Sequence, residues 1–413
     1  MCRVAMLSLH SSPLARLGER EAGGMSVYVR ELSKELPGRG FPVDIFTRRT
    51  DPDAPTIVPL NDGTRVIHLQ GGPAGDLDKT QVYFHLPELA YNLLRFAERE
   101  GRHYQLLHSH YWLSGLAANW LKRRWDVPHV AMFHTLAEVK NHSRLGEHEP
   151  LQRIEGERRI VAAADRLVAP TYYERSQLVR YYSAVPSKIE VIPCGVDLDL
   201  FHPIDKIEAR RELGLTDRRV ILFVGRMDPL KGLDILLQAV ARLEDRDGLR
   251  VLVAGGSLEG DSRLTHYLDK AREMGIAHQV TFLGSLEQES LPAYYSASDL
   301  CVVPSYYESF SLVAVEALAC GTPVIASRVG GLTGIVRDGE TGFLVPWRCP
   351  DPFSERLETL LGNDMLREHF GRAARKSVEK YAWSNVASRI KEMYEDLLDG
   401  RSHCCNSGAA CMS

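Results

Sequence analysis

The stretch Ser305–Thr322, SYYESFSLVAVEALACGT, decides how this chain folds. It follows the apolar run Leu300–Val303, which reads as a buried strand stopped by Pro304. Leu312, Val313, Val315, Ala317, Leu318 and Ala319 then predict a helix over Leu312–Cys320, ended by Gly321 ahead of Pro323. A strand, a short loop and a helix start thus follow one another. That order aims unpaired backbone N–H groups and the positive end of a helix dipole at whatever lies above the strand, a place suited to an anion. Two carboxylates frame the stretch: Glu308 in the loop and Glu316 in the helix. A carboxylate repels phosphate, but in its ionised form it accepts hydrogen bonds from vicinal diols. A ligand with a diphosphate at its centre and sugar diols at both ends, a nucleotide sugar, meets both demands.

Outward from this stretch the same unit repeats. Strands are expected at Val220–Val224, Val251–Ala254, Val280–Leu283, Leu300–Val303 and Val324–Ala326. Helices are expected between them at Leu233–Leu243, Leu264–Met274 and Leu291–Ala297. Earlier in the chain, strands at Arg3–Leu9, Val43–Thr47, Val66–Leu69, Leu106–Ser109, His129–Met132, Arg166–Ala169 and Ile189–Ile192 alternate with helices at Leu86–Ala97, Leu113–Leu121, Ile154–Ala164 and Tyr172–Tyr182. Alternation of this kind predicts an α/β fold of parallel sheets with helices on both faces and ligands at the carboxyl ends of the strands. The Gly- and Pro-bearing segment 193–203 interrupts the rhythm and reads as a linker. Two doubly wound Rossmann-like domains, 1–194 and 204–383, are therefore expected, with a cleft between them.

Composition narrows the function. The 413 residues are 44% hydrophobic and 25% charged, as in a soluble globular protein of about two to three domains. A net charge of −4 gives no electrostatic case for nucleic acid. No run approaches the roughly 18 apolar residues that span a membrane, and the apolar run Val4–Leu9 is too short for a signal peptide, so a cytoplasmic protein is expected. Cys2, Cys194, Cys301, Cys320 and Cys349 are scattered and read as buried thiols, while Cys404, Cys405 and Cys411 lie in a frayed tail. Asp-x-Asp occurs four times, at Asp51/Asp53, Asp76/Asp78, Asp197/Asp199 and Asp245/Asp247, always in loops. No essential metal or cofactor is expected, because Arg226 and Lys231 in Gly225–Gly232 (GRMDPLKG) already offer a diphosphate two cations on a strand-end loop.

The string Pro304–Ala326, PSYYESFSLVAVEALACGTPVIA, together with Gly-Arg-x-x-x-x-Lys-Gly at 225–232, resembles the donor site of retaining GT-B glycosyltransferases. The resemblance covers nearly all of residues 1–400. It is to the large family that includes sucrose-phosphate synthase, and within it most to the inositol-phosphate glycosyltransferases of the mycothiol pathway. It implies transfer of a hexose or N-acetylhexosamine from a UDP-sugar, as substrate, to a phosphorylated small molecule. Donor contacts are implied at Arg226, Lys231, Glu308, Phe310, Ser311, Leu312, Val313 and Glu316, and at Gly23 and Gly24 in a Gly-Gly loop before a helix. His134 is implied beside the donor sugar, making His134, Glu308, Arg226 and Lys231 the catalytic set. Acceptor contacts are implied at Lys79, Tyr111, Thr135 and Arg153, with two cations and two hydroxyls for a monophosphate, and at Ser26, where the family has Asn. Neither Lys79 nor Arg153 shows a duty in the fold. Ser311 stands where the family usually has Gly, which would restrict a tight turn. The resemblance also implies that the last helix, about 384–400, crosses back onto the first domain.

The leading acceptor is inositol phosphate, with fructose 6-phosphate the alternative. A non-catalytic nucleotide-sugar sensor would be expected to lose Arg226, Lys231 or Glu316, and all three are present. An epimerase of related architecture would need no phosphate-binding acceptor set. The oligomeric state is open, a homodimer being one candidate.

Overall fold

The computed structural model describes residues 2–15, 23–143, 148–216, 218–258 and 262–408, with side chains up to residue 400. Cys411 and the side chains of Cys404 and Cys405 lie outside the described residues.

The first sheet contains β1 (Val4–Leu7), β2 (Val43–Arg48), β3 (Ile57–Asn61), β4 (Thr64–Leu69), β5 (Leu106–His110), β6 (His129–Met132), β7 (Arg166–Ala169) and β8 (Ile189–Val191), in the order β3-β4-β2-β1-β5-β6-β7-β8. The second contains β9 (Arg219–Val224), β10 (Leu249–Ala254), β11 (Val280–Gly284), β12 (Leu300–Val303), β13 (Val324–Ser327) and β14 (Gly342–Val345), in the order β11-β10-β9-β12-β13-β14. All pairings are parallel except β3 with β4. Helices cover both faces, so β1, β2, β5, β6, β12 and β13 are buried along their whole length, and β1, β6, β12 and β13 are mostly apolar.

The antiparallel edge strand β3 was not expected, because its Pro59 and Asn61 argue against a strand and are tolerated only at an edge. β5 also runs one residue farther than expected, through His110. Helices at Lys79–Phe84, Ala137–His142, Lys206–Glu212, Pro350–Leu361 and Asp364–Val378 were likewise not expected. Lys79 opens its helix behind Asp78, whose carboxylate caps Thr80 and Gln81 N–H groups while Gln81 returns the bond. The Asp-x-Asp pairs serve the backbone. Asp51, Asp197 and Asp245 each accept from the N–H two residues on, at 2.9, 3.0 and 2.9 Å.

The last helix, Trp383–Gly408, leaves the second sheet's half and packs on the first. Tyr394 meets Phe41 edge-on at 5.4 Å and shares a 2.6 Å hydrogen bond with His108 Nδ1 of β5. The chain thus passes between the halves twice, and the two passages lie side by side. Val196 N–H donates to the Tyr381 carbonyl at 2.8 Å, and the Trp383 ring lies so close over Gly195 that a Cβ there would come within 2.3 Å of it. Among the described residues no helix is long and apolar enough to cross a membrane.

Buried ionisable side chains set the response to pH: Asp44 and the buried histidines act in one direction, and Glu174 and Glu316, which burial pushes up to about 8 and about 7, act in the other. Asp44 of β2 is fully buried but held by Arg65 and the Tyr104 hydroxyl. For His108, His129 and His134 burial is the largest cause, and it pushes each down to about 3. The unfolded chain takes up these protons near 6.5, so it binds more protons than the folded chain over the window between, and stability falls as pH falls through it. Calorimetry should therefore show a Tm that drops steadily from about pH 7 to 4, with a shallower drop in His129→Gln, which has nothing to protonate. Equal slopes for the two proteins would remove His129 from this account.

Candidate functional site

The first half of the site starts where β5 and β6 end. Tyr111 follows β5 with φ 73°, and His134 follows β6 by two residues with φ 61°. Neither is glycine, and a left-handed backbone costs such residues on the order of 1–3 kcal/mol each. The strain aims both side chains back over the sheet edge. Tyr111 stacks on His10 at 4.3 Å, with the Arg153 guanidinium 4.7 Å and Lys79 Nζ 5.7 Å from its ring centre. His134 Nε2 lies 3.0 Å from His110 Nδ1. The His134 carbonyl accepts from Ser309 Oγ at 2.6 Å, which ties the first half to the second.

The second half is built on backbone approach. Gly232 has φ 71°, and a Cβ there would fall 2.0 Å from the Pro304 carbonyl oxygen. Gly330 has φ 48°, and its Cβ would fall 1.8 Å from the Glu308 carbonyl oxygen. These glycines let the Gly225–Gly232 loop and the Glu308 loop sit against their supports. Lys231 Nζ donates to Glu308 Oε1 at 2.6 Å, and Ser305 Oγ donates to the same atom at 3.0 Å. Arg226 is half exposed, 3.8 Å from Asp228.

One cavity of about 310 Å³ joins the halves. Gly23, Gly24, Lys79, Tyr111, His134, Thr135 and Arg153 line it from one side, and Arg226, Lys231, Glu308, Phe310, Ser311, Leu312 and Val313 from the other. Ser26 and Glu316 do not line it. Ser26 is buried in the Gly24–Glu35 helix and shares a 2.8 Å hydrogen bond with Ser11. Glu316 is buried one turn beyond Leu312 and accepts from the Tyr295 hydroxyl at 3.0 Å. Burial pushes Glu316 up to about 7, so near neutral pH it is divided between acid and carboxylate, where an ionised group was expected.

Two further expectations are corrected. Arg153 has a clear duty in the fold: it is 2% exposed and bonded to Glu149 and Glu157, each at 2.8 Å, and to Thr135 Oγ1 at 3.0 Å. Ser311 needs no glycine, because its φ of −159° is extended, and its hydroxyl caps the Leu312–Ala319 helix. The sequence reading also missed His10, Lys140, Tyr307 and Ser309, which line the cavity. His10 follows β1 as Tyr111 follows β5, so the strand-end rule pointed to it.

Two doubly wound domains whose strand ends face one another across such a cavity define the GT-B fold of glycosyltransferases. Residues 22–200 match glycosyltransferase family 4 and residues 205–377 match glycosyl transferases group 1, so the chain belongs to these families and is a glycosyltransferase. It is 44% identical over 407 residues to D-inositol 3-phosphate glycosyltransferase 2 of Catenulispora acidiphila, covering 96% of this chain and 95% of that one. A relative named D-inositol 3-phosphate glycosyltransferase from Corynebacterium diphtheriae is 41% identical over 403 residues, covering 95% and 94%. Among solved structures, sucrose-phosphate synthase from Thermosynechococcus elongatus superposes with a TM-score of 0.90 at 33% identity, covering 97% of this chain and all of that one.

The glycine contacts make a direct test possible. Gly330→Ala must displace the Glu308 loop, whereas a Cβ at Gly334 meets nothing within 4 Å. Transferase activity should fall by at least about tenfold in Gly330→Ala and stay near normal in Gly334→Ala, read beside the Tm of both. Full activity in Gly330→Ala would show that the Glu308 loop tolerates displacement.

Proposed function

We propose that this enzyme moves a hexosyl or N-acetylhexosaminyl group from a UDP-sugar to inositol phosphate, with retention of anomeric configuration. The observation that carries the reading is the charge layout of one cavity. Arg226, Lys231 and the diol-accepting Glu308 lie on one wall, and Lys79, Lys140, Arg153, Tyr111 and Thr135 lie on the other. The first layout suits a nucleotide diphosphate bonded to a sugar, the second a phosphomonoester. Relatives at 41–44% identity over nearly the whole chain carry the inositol-phosphate name, which supports the same acceptor. The likeness to sucrose-phosphate synthase favours fructose 6-phosphate as the second reading.

Domain 1–194, with helix 384–400 crossing back, holds the acceptor, and domain 204–383 holds the donor. Arg226 and Lys231 neutralise the diphosphate, whose charge grows as the glycosidic bond breaks. Lys231 then exchanges its Glu308 partner for phosphate oxygen, freeing Glu308 for sugar hydroxyls. Glu316, buried one turn behind the cavity-lining Leu312, is assigned to the ribose end of the donor, which reaches it only once Leu312 gives way. Among the described residues, the carboxylates lining the cavity are Asp228 and Glu308. Asp228 is held by Leu230 N–H and Arg226, and Glu308 by Lys231 and Ser305. We therefore assign neither as a nucleophile. The acceptor hydroxyl attacks from the face the diphosphate leaves, and the departing phosphate oxygen takes its proton. We assign no essential metal and place the enzyme in the cytoplasm, where both charged substrates would be dissolved.

Product analysis with UDP-glucose or UDP-N-acetylglucosamine against inositol phosphate, fructose 6-phosphate and both free polyols tests the reading, and activity should persist in excess chelator. Phosphorylated acceptor should be preferred by about ten- to a hundredfold, the worth of one charge-assisted hydrogen bond. Arg153→Ala would strand buried Glu149 and Glu157, so Lys79→Gln is the cleaner variant. It should erase much of the preference while leaving donor KM unchanged. Equal use of free and phosphorylated acceptors by the wild-type enzyme would refute the acceptor assignment. Lys231→Ala should lower turnover by on the order of 10²-fold, and Glu316→Ala should raise donor KM.

A further inference from the structure

We infer that His110 is a positioning residue whose Nδ1–H fixes the tautomer of His134, so that His134 presents a donor N–H, through its own Nδ1, to the ligand in the cavity. The inference rests on the reading that His134 lies beside the donor sugar, and it adds the direction of that contact.

His108 and His110 project from the same face of β5, both fully buried, with ring centres 4.4 Å apart. Tyr28 packs edge-on against His110 at 5.5 Å and against His134 at 5.3 Å. Packing from both sides fixes the His110 ring, and its Nδ1 lies 3.0 Å from His134 Nε2. Burial keeps both rings neutral, so each carries one N–H, and one must donate while the other accepts.

Two arrangements are open in principle. If His134 Nε2–H donated, His110 would carry its own proton on Nε2. That atom is buried and has no partner among the described residues, so it would be an orphaned donor. If His110 Nδ1–H donates, its Nε2 is a bare lone pair. Buried N–H groups without an acceptor are the rarer defect in proteins, which selects the second arrangement. His108 follows the same rule. Its Nε2 is also buried without a partner, and its Nδ1 bonds the Tyr394 hydroxyl at 2.6 Å.

With Nε2 committed to accepting from His110, His134 must hold its proton on Nδ1. That nitrogen has no partner within the described residues and belongs to a ring that lines the cavity. A donor N–H there suits a sugar hydroxyl oxygen or a phosphate oxygen. It cannot accept a proton from the acceptor hydroxyl, which leaves that task to the departing phosphate.

Side-chain ¹⁵N NMR of the full chain labelled in histidine decides the matter, with His134 signals identified by their loss in His134→Gln. The wild-type enzyme should show His134 with a pyrrole-type Nδ1 and a pyridine-type Nε2. His110→Asn, whose amide N–H falls near the Nδ1 position, should keep that pattern and most of the turnover. His110→Leu should shift His134 to the other tautomer or a mixture and lower kcat/KM by about tenfold, the worth of one neutral hydrogen bond. Protonation of wild-type His134 on Nε2 overturns the inference whatever the kinetics, and needs no variant to fold. A tautomer that shifts in His110→Leu with no change in turnover upholds the role of His110 and instead removes His134 from the donor site.

Discussion

A parallel strand cannot turn back on itself, so each needs a crossover, and every carboxyl end then falls on one edge of its sheet. That constraint organises this enzyme. Tyr111 and His134 follow β5 and β6, Lys231 follows β9, and Glu308 follows β12. All four reach the cavity because both sheets turn that edge toward each other. The glycines at 232 and 330 do the remaining work, letting backbone meet backbone where a single methyl group would not fit. Affinity for an anion between the halves follows from topology before any side chain is chosen.

Most charges in the cavity are paired within the chain. Lys231 bonds Glu308, Arg226 faces Asp228, and Arg153 is clamped between Glu149 and Glu157. An uncompensated buried charge is costly, so each cation keeps a counter-ion that a phosphate can replace or share. The same pairing separates exchangeable contacts from structural ones. Lys231 can swing from Glu308 to a ligand, whereas Arg153, 2% exposed and bonded on two sides, stays where it is and offers its remaining reach.

Much of this was legible in the sequence. The bounds of β6, β7, β12 and the Tyr172–Tyr182 and Leu291–Ala297 helices match the pattern-based expectation residue for residue. The helices Pro350–Leu361 and Asp364–Val378 were legible as well, with Phe353, Leu357 and Leu360 and then Phe370, Ala374 and Val378 at helical spacing on their buried faces, but were overlooked. The donor loops could be read because glycine and charge mark them. The left-handed turns at Tyr111 and His134 could not, since nothing distinguishes a strained tyrosine or histidine from a relaxed one in a string of letters. The pairing of Arg153 was in plain view, with its glutamates four residues to either side, and was overlooked in favour of a ligand. Ser26 was misjudged because resemblance fixes a position along the chain but not the length of a side chain, and serine is short enough to settle on Ser11 instead.

The two passages of the chain between the halves are adjacent and bonded to each other, Val196 to Tyr381 and Gly195 beneath Trp383. Mechanically they act as a single hinge at the back of the molecule. A body joined to another along one line swings like a door: its rear edge scarcely moves and its front edge sweeps widest. The contact between Ser309 and the His134 carbonyl, at 2.6 Å, lies beside the cavity, and it is joined across the halves by Thr171 Oγ1 on the Ser309 carbonyl at 3.3 Å and by Arg30 on Gln288 at 2.6 Å. Opening the cavity for substrates to enter therefore requires these bonds to be released together, while the packed interior of each half turns as a rigid leaf.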